Sequence, residues 1–379
     1  MTEKLYYKDA YIREFDAQIV EVSSVGNTYR IRLDKTAFFP EEGGQSADGG
    51  RIGTARVLDV REEGGEVYHI TDTVPEGESV HCVLDFERRF EKMQCHTAEH
   101  ILCGIINKLH GFSNVGFHLG DDVVTFDVDG ELTPEMIEEI EALANRAVFE
   151  NRPVTSYFPT HAELLSLEYR AKLEMTENVR IVDVEGIDVC ACCAPHVSHT
   201  GEVGIIKIID YMRHRGGMRF FMVAGHRALA DYTARHSITR AVGAMTSTPS
   251  LDTEAAVRRL IEEKDALALE ISRMAVAHAR ELAERIERTD GNAVCFLRDA
   301  TSDAMREFAN TALSSVGGIL VVLTGEEGSY RYVIASNKEN LRLIAKDVNT
   351  ALSGKGGGRP EMISGTFAAS LEDIKAYFA

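Results

Sequence analysis

The stretch Gln94-Cys95-His96-Thr97-Ala98-Glu99-His100-Ile101-Leu102 places two histidines four residues apart. On a helix, side chains with this spacing lie on one face, so His96 and His100 could bind a single metal ion. A second stretch, Cys190-Ala191-Cys192-Cys193-Ala194-Pro195-His196, repeats the spacing with Cys192 and His196. Two pairs of nitrogen and sulfur ligands suit zinc better than other common metals. The sequence therefore predicts a Zn²⁺ site formed by His96, His100, Cys192 and His196.

The cysteine ligand has alternatives. Cys190 and Cys193 form a Cys-x-x-Cys pair, and Cys193 could pair with His196 at a shorter spacing. We prefer Cys192 because its spacing to His196 equals the spacing of the two histidines. Four protein ligands would close a structural zinc site, whereas a catalytic zinc keeps one position open for water or substrate. The sequence leaves both arrangements open for His196.

Glu99 lies between the two histidines and is, with His96 and His100, a candidate catalytic residue. The pattern His96-x-x-Glu99-His100 matches the inverted zincin signature, in which the glutamate acts as general base. A zinc metallopeptidase is therefore an alternative function. Such enzymes usually complete the metal site with a carboxylate, which a Cys-x-x-x-His turn does not supply. If Glu99 has no role, we expect it at a solvated helix position.

Length and composition indicate a globular protein of several domains. The 379 residues exceed one ordinary core, and the chain has 44% apolar and 27% charged residues. It contains no apolar run of the ~18 residues that a membrane span needs, and Met1–Tyr6 lacks a signal-peptide core, so we expect a cytoplasmic protein. Seven cysteines, an odd number, do not suit a disulfide framework. The net charge of −19 argues against non-specific coating of nucleic acid, although residues 213–219 could form a local basic patch.

The order of the elements predicts an α+β multidomain fold. Short alternating runs, such as Ala17–Val22 and Thr28–Leu33, predict a small N-terminal β-barrel. Helices over 90–111 and Pro134–Phe149, the second capped by Thr133, lie among strands and predict a two-layer α/β domain. The predicted domains are the barrel at 1–88, the zinc-binding domain at 89–245, a long helical linker at 246–288 and a C-terminal α/β domain at 289–379.

The segment Thr246–Ser250 is predicted to be a domain boundary and a helix start, with Thr248 as the cap and Pro249 in the first turn. The long helix that follows carries an apolar stripe that includes Val257 and Leu260. Such a stripe needs a partner, which could come from the same chain or from a second copy. A homodimer through this helix or the C-terminal domain is one expectation.

Two glycine-rich segments could allow a ligand to approach closely. Thr36-Ala37-Phe38-Phe39-Pro40-Glu41-Glu42-Gly43-Gly44-Gln45 lies between predicted barrel strands, and its paired glycines leave backbone amides uncovered. An ordinary hairpin turn would explain it equally well. Gly354–Glu361 does not match a P-loop, because Gly356 follows Lys355 where serine or threonine is required. This segment is either a flexible basic turn, with Lys355 and Arg359 free for phosphate contacts, or a plain C-terminal loop.

Taken together, these residues resemble the editing and C-terminal parts of alanyl-tRNA synthetase and, in free-standing form, the AlaX trans-editing proteins. The glycine-rich loop with Asp48 resembles that family's barrel signature, and His96–His100 resembles its first zinc motif. Cys192–Val197 resembles its Cys-x-x-x-His motif, with Thr200–Gly204 at the expected place. Gly354–Met362 resembles the glycine-rich loop of the C-terminal domain called DHHA1, so the resemblance covers nearly the whole chain.

The resemblance is incomplete at three points. The synthetase pattern has Gly-Gly-Thr between the cysteine and the histidine, where this chain has Cys193-Ala194-Pro195. Its Gly-x-Arg-Arg motif is here Gly217-Met218-Arg219-Phe220, which leaves one arginine. Nothing that resembles the class II aminoacylation domain precedes the barrel. The resemblance therefore implies a protein that removes wrong amino acids and does not charge tRNA.

The implied activity is ATP-independent, zinc-dependent deacylation of alanine tRNA mischarged with serine or glycine. A site that hydrogen-bonds a hydroxyl would accept serine and reject alanine, and the resemblance places part of the pocket wall at Asn114–His118. A tRNA-binding module with a purely structural zinc is the third alternative. The resemblance implies substrate or tRNA contacts by Thr36, Gly43, Gly44, Gln45, Arg219, Lys355 and Arg359.

Overall fold

The computed structural model describes residues 1–171 and 178–379. It divides into two compact units, Met1–Ile238 and Thr239–Ala379. Both units combine helices with sheets, and the α+β class expected from the sequence is confirmed. The finer division into four domains stays a prediction. Within the described residues, no helix has the length and apolar character that crossing a membrane requires.

The first unit is built mainly of strands. In chain order they are β1 (Glu3–Lys4), β2 (Glu14–Val25), β3 (Thr28–Leu33), β4 (Lys35–Thr36), β5 (Gly50–Ile52), β6 (Ala55–Glu63), β7 (Glu66–Thr71), β8 (Ser79–Leu84), β9 (Asn114–Leu119), β10 (Val124–Val128), β11 (Val154–Tyr157), β12 (Ile181–Val184), β13 (Asp188–Ala191), β14 (Ile206–His214) and β15 (Gly217–Ala224). Its helices are α1 (Phe86–His110), α2 (Pro134–Phe149) and α3 (His161–Ser166), and α4 (Gly225–Thr246) contains the limit between the two units.

The second unit continues with the same numbering. Its helices are α5 (Thr253–Ala283), α6 (Ser302–Ala312), α7 (Leu341–Ala351) and α8 (Leu371–Phe378). Its strands are β16 (Ala293–Phe296), β17 (Ile319–Glu326), β18 (Ser329–Ser336), β19 (Lys355–Arg359) and β20 (Met362–Phe367).

A closed barrel occupies the N-terminal part of the first unit, with the strand order β2-β3-β7-β6-β5-β8. Burial alternates along its strands, as in β8, where Val80, Cys82 and Leu84 face the core and the residues between them are exposed. This period of two is what a sheet with one buried face requires. The glycine-rich loop connects β4, which pairs with β1 outside the barrel, to the barrel strand β5.

Helix α1 is the element that brings the rest of the unit together. Asp85 caps its first turn by accepting a hydrogen bond from the backbone N–H of Arg88, and Gly111 ends it in the left-handed conformation. Every residue from Lys92 to Ile106 is buried. An apolar helix can be buried on all sides at no great cost, but α1 carries charged and histidine side chains there, which need partners. The partners of these buried polar side chains therefore decide what α1 contributes to the unit.

Two antiparallel sheets complete the first unit. The sheet β14-β15-β10-β9 packs against α1 and α2, which gives the two-layer arrangement. The sheet β11-β12-β13 carries the second metal-ligand stretch at the end of β13. Helix α2 begins at Pro134 with Thr133 as its cap, which confirms that prediction.

The second unit is a five-stranded sheet, β16-β17-β18-β20-β19, with helices on both faces. Alternate residues of β17 point to opposite sides: Leu320 and Val322 pack with α5 and α6, whereas Val321 and Leu323 pack with α7 and α8. Only the C-terminal part of α5 is covered in this way, through residues such as Ala279 and Ala283. Val257 and Leu260 remain exposed, so the dimer expectation stays a prediction.

Two local predictions are wrong. Thr248 does not cap the next helix: α4 runs to Thr246, Ser247 takes a left-handed φ of 52°, and a short 3-10 helix at Ser250–Asp252 leads into α5 at Thr253. The reason is that Thr248 donates its N–H to Gly243 O (2.9 Å), which closes the preceding helix. The second error concerns Gly354–Glu361, where residues Lys355–Arg359 form edge strand β19 and not a flexible loop.

Candidate metal centre and its cavity

Four side chains of the first unit converge in its interior. Ligand atoms of His96, His100, Cys192 and His196 all lie within 4.8 Å of one another. Cys192 Sγ is 3.6 Å from His96 Nε2 and 3.4 Å from His196 Nε2. A tetrahedral zinc ion with usual bond lengths separates its sulfur and nitrogen ligands by about 3.6 Å. The donor set and its spacing therefore fit zinc.

Each of the three imidazoles is oriented by a hydrogen bond at Nδ1. His96 Nδ1 lies 2.9 Å from Gln45 Oε1, and His100 Nδ1 lies 2.9 Å from Asp188 Oδ2. His196 Nδ1 lies 2.9 Å from the Thr97 hydroxyl, which also accepts the N–H of Val197. A carboxylate or amide oxygen at Nδ1 fixes the proton there, which leaves the Nε2 lone pair for a metal. Gln45 and Asp188 thus hold the Nδ1 proton of His96 and His100, and the Thr97 hydroxyl, which can donate or accept, is compatible with the same tautomer at His196.

The electrostatics of the cluster favour the protonation state of a metal ligand at Cys192 and His196. At His100 burial is outweighed by Cys190 and the hydrogen bond to Asp188, which raise the pKa well above its ordinary value, so a metal would have to displace a proton there. Burial opposes ionisation of Cys192, but the neighbouring imidazoles of His96 and His196 outweigh it and lower the thiol pKa well below its ordinary value. Burial also lowers the pKa of His196 to about 3, so this imidazole is neutral near pH 7. Thiolate and neutral imidazole are the forms that bind a divalent metal.

The turn that carries Cys192 is held by Arg180. Its guanidinium donates to Cys192 O (3.0 Å) and Ala194 O (2.8 Å), and Cys192 returns a backbone hydrogen bond to Arg180 O. Cys193 is outside the group of four and faces Glu42, and burial raises the pKa of its thiol. Burial likewise raises the pKa of Cys190 to about 11. Among the three neighbouring cysteines, Cys192 is therefore the thiolate in the cluster.

The glycine-rich loop contributes to this centre through Gln45, which positions His96. Gly44 has a φ of +84°, and a Cβ there would lie 2.6 Å from Phe117 O, so a larger residue would push the loop away from β9. Gly43 borders the cavity beside Cys193. Thr36 does not fit the expectation of a substrate contact. Its side chain is fully buried in the barrel, where it binds His69 Nε2 (2.8 Å) and accepts the N–H of Phe38.

Charged residues on α1 anchor the loop. Arg89 donates through Nε to Asp48 Oδ2 (2.9 Å) and through a terminal nitrogen to Ala37 O (2.6 Å), and both members of this ion pair are almost fully buried. One turn further along the helix, the Lys92 ammonium donates to Ser46 O and Ala47 O, and burial lowers its pKa to about 8. The loop is thus fixed at both sides of Gln45.

A cavity of about 750 Å³ opens beside the cluster. His96, His100 and Cys192 line it, whereas His196 is not among the described residues on its wall. Glu99 also lines it and is only 4% exposed, so it is not a solvated helix position. Its carboxylate accepts a hydrogen bond from the amide of Asn114 and approaches His100 Nε2 to 4.0 Å. The wall thus combines metal-ligand candidates with a buried carboxylate.

Other expected contacts lie elsewhere. Arg219 forms a two-pronged ion pair with Asp127 on the neighbouring strand, with both N–O distances at 2.7 Å, and does not line the cavity. Lys355 and Arg359 belong to the second unit and are exposed on β19.

The sequence analysis missed the residues that support the ligands. Asp188 binds His100 and also accepts two hydrogen bonds from Arg170, at 2.6 and 2.8 Å. Thr97 lies between the two predicted ligands, but nothing in its spacing indicates a contact with His196. Arg89, Lys92 and His96 do follow helical spacing on one face of α1, and this polar face of a largely buried helix is a signal that could have been used.

Comparisons with known proteins identify the family of the chain. Residues 179–221 match the family model of the threonyl and alanyl tRNA synthetase second additional domain. Alanyl-tRNA editing protein AlaX-L of Pyrococcus horikoshii is 30% identical over 99% of this chain and 96% of its own length. Alanyl-tRNA editing protein Aarsd1 of Danio rerio is 26% identical over 93% and 90%. Alanine–tRNA ligase of Ignicoccus hospitalis is 34% identical over 65% of this chain, which corresponds to 28% of the ligase. With its matched domain and its full-length likeness to AlaX-L, the chain belongs to the AlaX family of alanyl-tRNA editing proteins.

Proposed function

We propose that this protein hydrolyses the aminoacyl ester of alanine tRNA that carries serine or glycine, with Zn²⁺ held by His96, His100, Cys192 and His196. The observation that carries the proposal is the cavity of about 750 Å³ with three of these side chains on its wall. This volume lies in the range of small-molecule sites, so it can accept an aminoacyl nucleoside while the tRNA body stays outside. The family relationship supports tRNA as the substrate class.

In the proposed reaction, a water oxygen adds to the ester carbonyl carbon and the bond from that carbon to the ribose oxygen breaks. The products are a free amino acid and a tRNA with a free ribose hydroxyl. Bound zinc would supply Lewis-acid polarisation at this site. Gln45, Asp188 and Thr97 keep the imidazoles in place, so that little reorganisation is needed during the reaction.

Glu99 is the acid–base candidate of the chain. Its carboxylate is buried on the cavity wall and touches Asn114, so it can take a proton from water or bind the ammonium group of the amino acid. Asn114 and Ser113 also line the cavity and offer polar partners for a serine hydroxyl. A site that satisfies that hydroxyl would bind alanine less well, whereas glycine, being smaller, cannot be selected in this way.

The metallopeptidase alternative has less support. Its zinc site would need a third ligand that is a carboxylate, but Asp188 is occupied by His100 and Arg170. The alternative of a purely structural zinc is tested by activity. We expect the purified full-length protein to deacylate seryl-tRNA(Ala) well above the buffer rate and to leave alanyl-tRNA(Ala) largely intact. A rate equal to buffer, with zinc bound, would leave only the structural role.

Neighbouring cysteines provide a matched test of the metal site. Cys192→Ala should remove most of the bound zinc and the deacylase activity, because it deletes the thiolate that faces the imidazoles. Cys193→Ala should retain zinc, because its side chain lies outside the cluster. Zinc per chain is measured by elemental analysis and deacylation in parallel. Retention of zinc by Cys192→Ala together with its loss in Cys193→Ala would reverse the ligand assignment.

Substitution at Glu99 separates the two roles that its carboxylate could have in deacylation. Glu99→Gln keeps the side-chain size and removes the base, so kcat for seryl-tRNA should fall strongly if Glu99 takes the proton from water. If Glu99 only binds the amino group of the ester, Glu99→Gln should raise KM for seryl-tRNA more than it lowers kcat. Zinc content should be unchanged in this variant, which serves as the folding control.

A further inference from the structure

The cavity has a second wall that the proposed chemistry does not use. Tyr7, Phe158 and Tyr169 line it, together with Arg180. Phe158 is 51% exposed, so a large part of its ring surface is not covered by the protein. Tyr7 and Phe158 make an edge-to-face contact, with ring centroids 5.4 Å apart and an angle of 77° between the rings. The rings therefore support each other and leave aromatic surface open to the cavity.

The register of the sheet β11-β12-β13 sets the distance between this wall and the metal ligands. Tyr157 pairs with Ile181, so Phe158 and Arg180 are the next residues at the same end of the sheet. Ile181 pairs in turn with Ala191, and Cys192 donates its N–H to Arg180 O (3.0 Å). Phe158, Arg180 and Cys192 thus lie directly beyond the same end of three successive strands. Two strand spacings amount to about 10 Å between the backbones of Phe158 and Cys192.

Tyr7 joins the aromatic wall to the cysteine turn. It packs on the small cluster of Tyr6, Phe39 and Ala194, as Cys192 does. The guanidinium carbon of Arg180 lies 5.4 Å from the centre of the Tyr7 ring. Arg180 is itself held by the carbonyl groups of Cys192 and Ala194. Ring, guanidinium and metal-ligand turn are therefore one rigid assembly.

We propose that Phe158 and Tyr7 form a stacking site for the adenine base at the end of the tRNA, which holds the ester beside the metal centre. The inference rests on the proposed function, because the ester is attached to the ribose of that terminal adenosine. Only one ribose separates the adenine base from the ester. A base held at Phe158, two strand spacings from Cys192, therefore places the ester close to the metal ligands. Aromatic side chains bind a base through its π-face and contribute about 1–3 kcal/mol per base. The cavity wall carries Glu42 and Glu99 as well as Arg170 and Arg180. Arg170 is paired with Asp188, and Arg180 donates to Cys192 O and Ala194 O, so this wall suits a neutral purine better than a phosphate.

The test compares two stable ligands of the full-length protein by calorimetry. One is the amide analogue of seryl-adenosine, and the other is the same serylamino-ribose with hydrogen in place of adenine. We expect the first to bind at least about tenfold more tightly, and Phe158→Ala to remove most of that difference. Phe158→Tyr should restore it because the ring is retained. Tyr157→Ala is the matched control, since Tyr157 is a neighbouring aromatic residue, 40% exposed and not on the cavity wall.

Hydrolysis of seryl-tRNA by the unmodified protein is measured in parallel to separate the two proposals. If the protein hydrolyses seryl-tRNA but binds both analogues equally, the base site is refuted and the proposed function stands. If Phe158→Ala weakens both analogues by the same factor, the ring only supports the fold, and the base site is again refuted. Base-dependent binding without any hydrolysis would support the stacking site and refute the deacylase.

Discussion

The two glycine-rich segments have similar composition but are anchored differently. In the loop after β4, Glu41–Gly44 are exposed, but both flanks are held inside the unit: Phe38 and Phe39 are fully covered, and Gln45 and Asp48 make buried hydrogen bonds. Residues Lys355–Arg359 are all exposed along the edge of a sheet. Glycine therefore has two different uses in this chain. In the loop it permits left-handed backbone beside β9, whereas in β19 it permits close packing of one strand face.

The packing in β19 follows the strand period. A Cβ on Gly356 would lie 2.3 Å from the Tyr332 hydroxyl, and one on Gly358 would lie 2.5 Å from Met362 O. Gly357, between them, has nothing within 4 Å. Lys355, Gly357 and Arg359 share the open face because alternate residues of a strand point the same way. Glycine content alone therefore does not locate a functional site, whereas buried polar side chains with buried partners do.

The largest expected effect is at the ion pair that anchors the loop. Asp48→Ala leaves Arg89 buried without its carboxylate, so we expect a loss of about 3–5 kcal/mol in the free energy of unfolding. Asp121→Ala is the control, because it removes an exposed partner of the adjacent Arg88 and should cost less than ~1 kcal/mol. Urea denaturation of both variants measures the difference. Equal costs would show that the loop is no better anchored than the surface.

The start of the loop should make the first unit sensitive to acid. Burial lowers the pKa of His69, the partner of Thr36, from 6.5 to about 4. Between these values the unfolded chain binds a proton and the folded chain does not, so stability falls as pH decreases from 6.5 to 4. The full pKa shift of His69 corresponds to a loss of about 3 kcal/mol in the free energy of unfolding. The stability difference between the natural protein and His69→Gln should shrink by about this amount over that range, and a constant difference would contradict the buried, neutral His69.

A matched pair of glycine substitutions tests the comparison directly. Gly44→Ala places a Cβ against Phe117 O in a left-handed conformation, and we expect it to cost about 1–3 kcal/mol and to weaken metal binding through Gln45. A Cβ at Gly357 would have no atom within 4 Å, so Gly357→Ala should change the free energy of unfolding by less than ~0.5 kcal/mol. Thermal unfolding and zinc content of both variants provide the measurement. A large cost at Gly357 would mean that β19 has a covering partner.

Local patterns predicted the parts of the structure that depend on neighbouring residues. The cap at Thr133 and Pro134, the spacing of His96 and His100, and the α+β class all follow from short-range rules. Residues that come into contact only in the folded chain gave no such signal in the sequence. Asp188 reaches His100 because β13 packs against α1, where Gly104 leaves room: a Cβ there would lie 2.7 Å from Ile187 O. Tyr7 and Phe158 likewise meet only after folding.

The smallest expected effect belongs to the exposed strand. The family resemblance implies that Lys355 and Arg359 contact the tRNA backbone. If they do, replacing both by alanine should weaken tRNA binding only a few fold and reduce the slope of the logarithm of the binding constant against the logarithm of salt concentration by about 1–2. Lys375→Ala, which removes an exposed lysine from α8, is the control for net charge. Zinc content and cleavage of a serine ester without tRNA should not change, because both depend on the first unit. If the salt dependence is unchanged in the double variant, Lys355 and Arg359 do not contact the tRNA. The glycines of β19 would then serve packing alone, in contrast to those of the loop beside the metal centre.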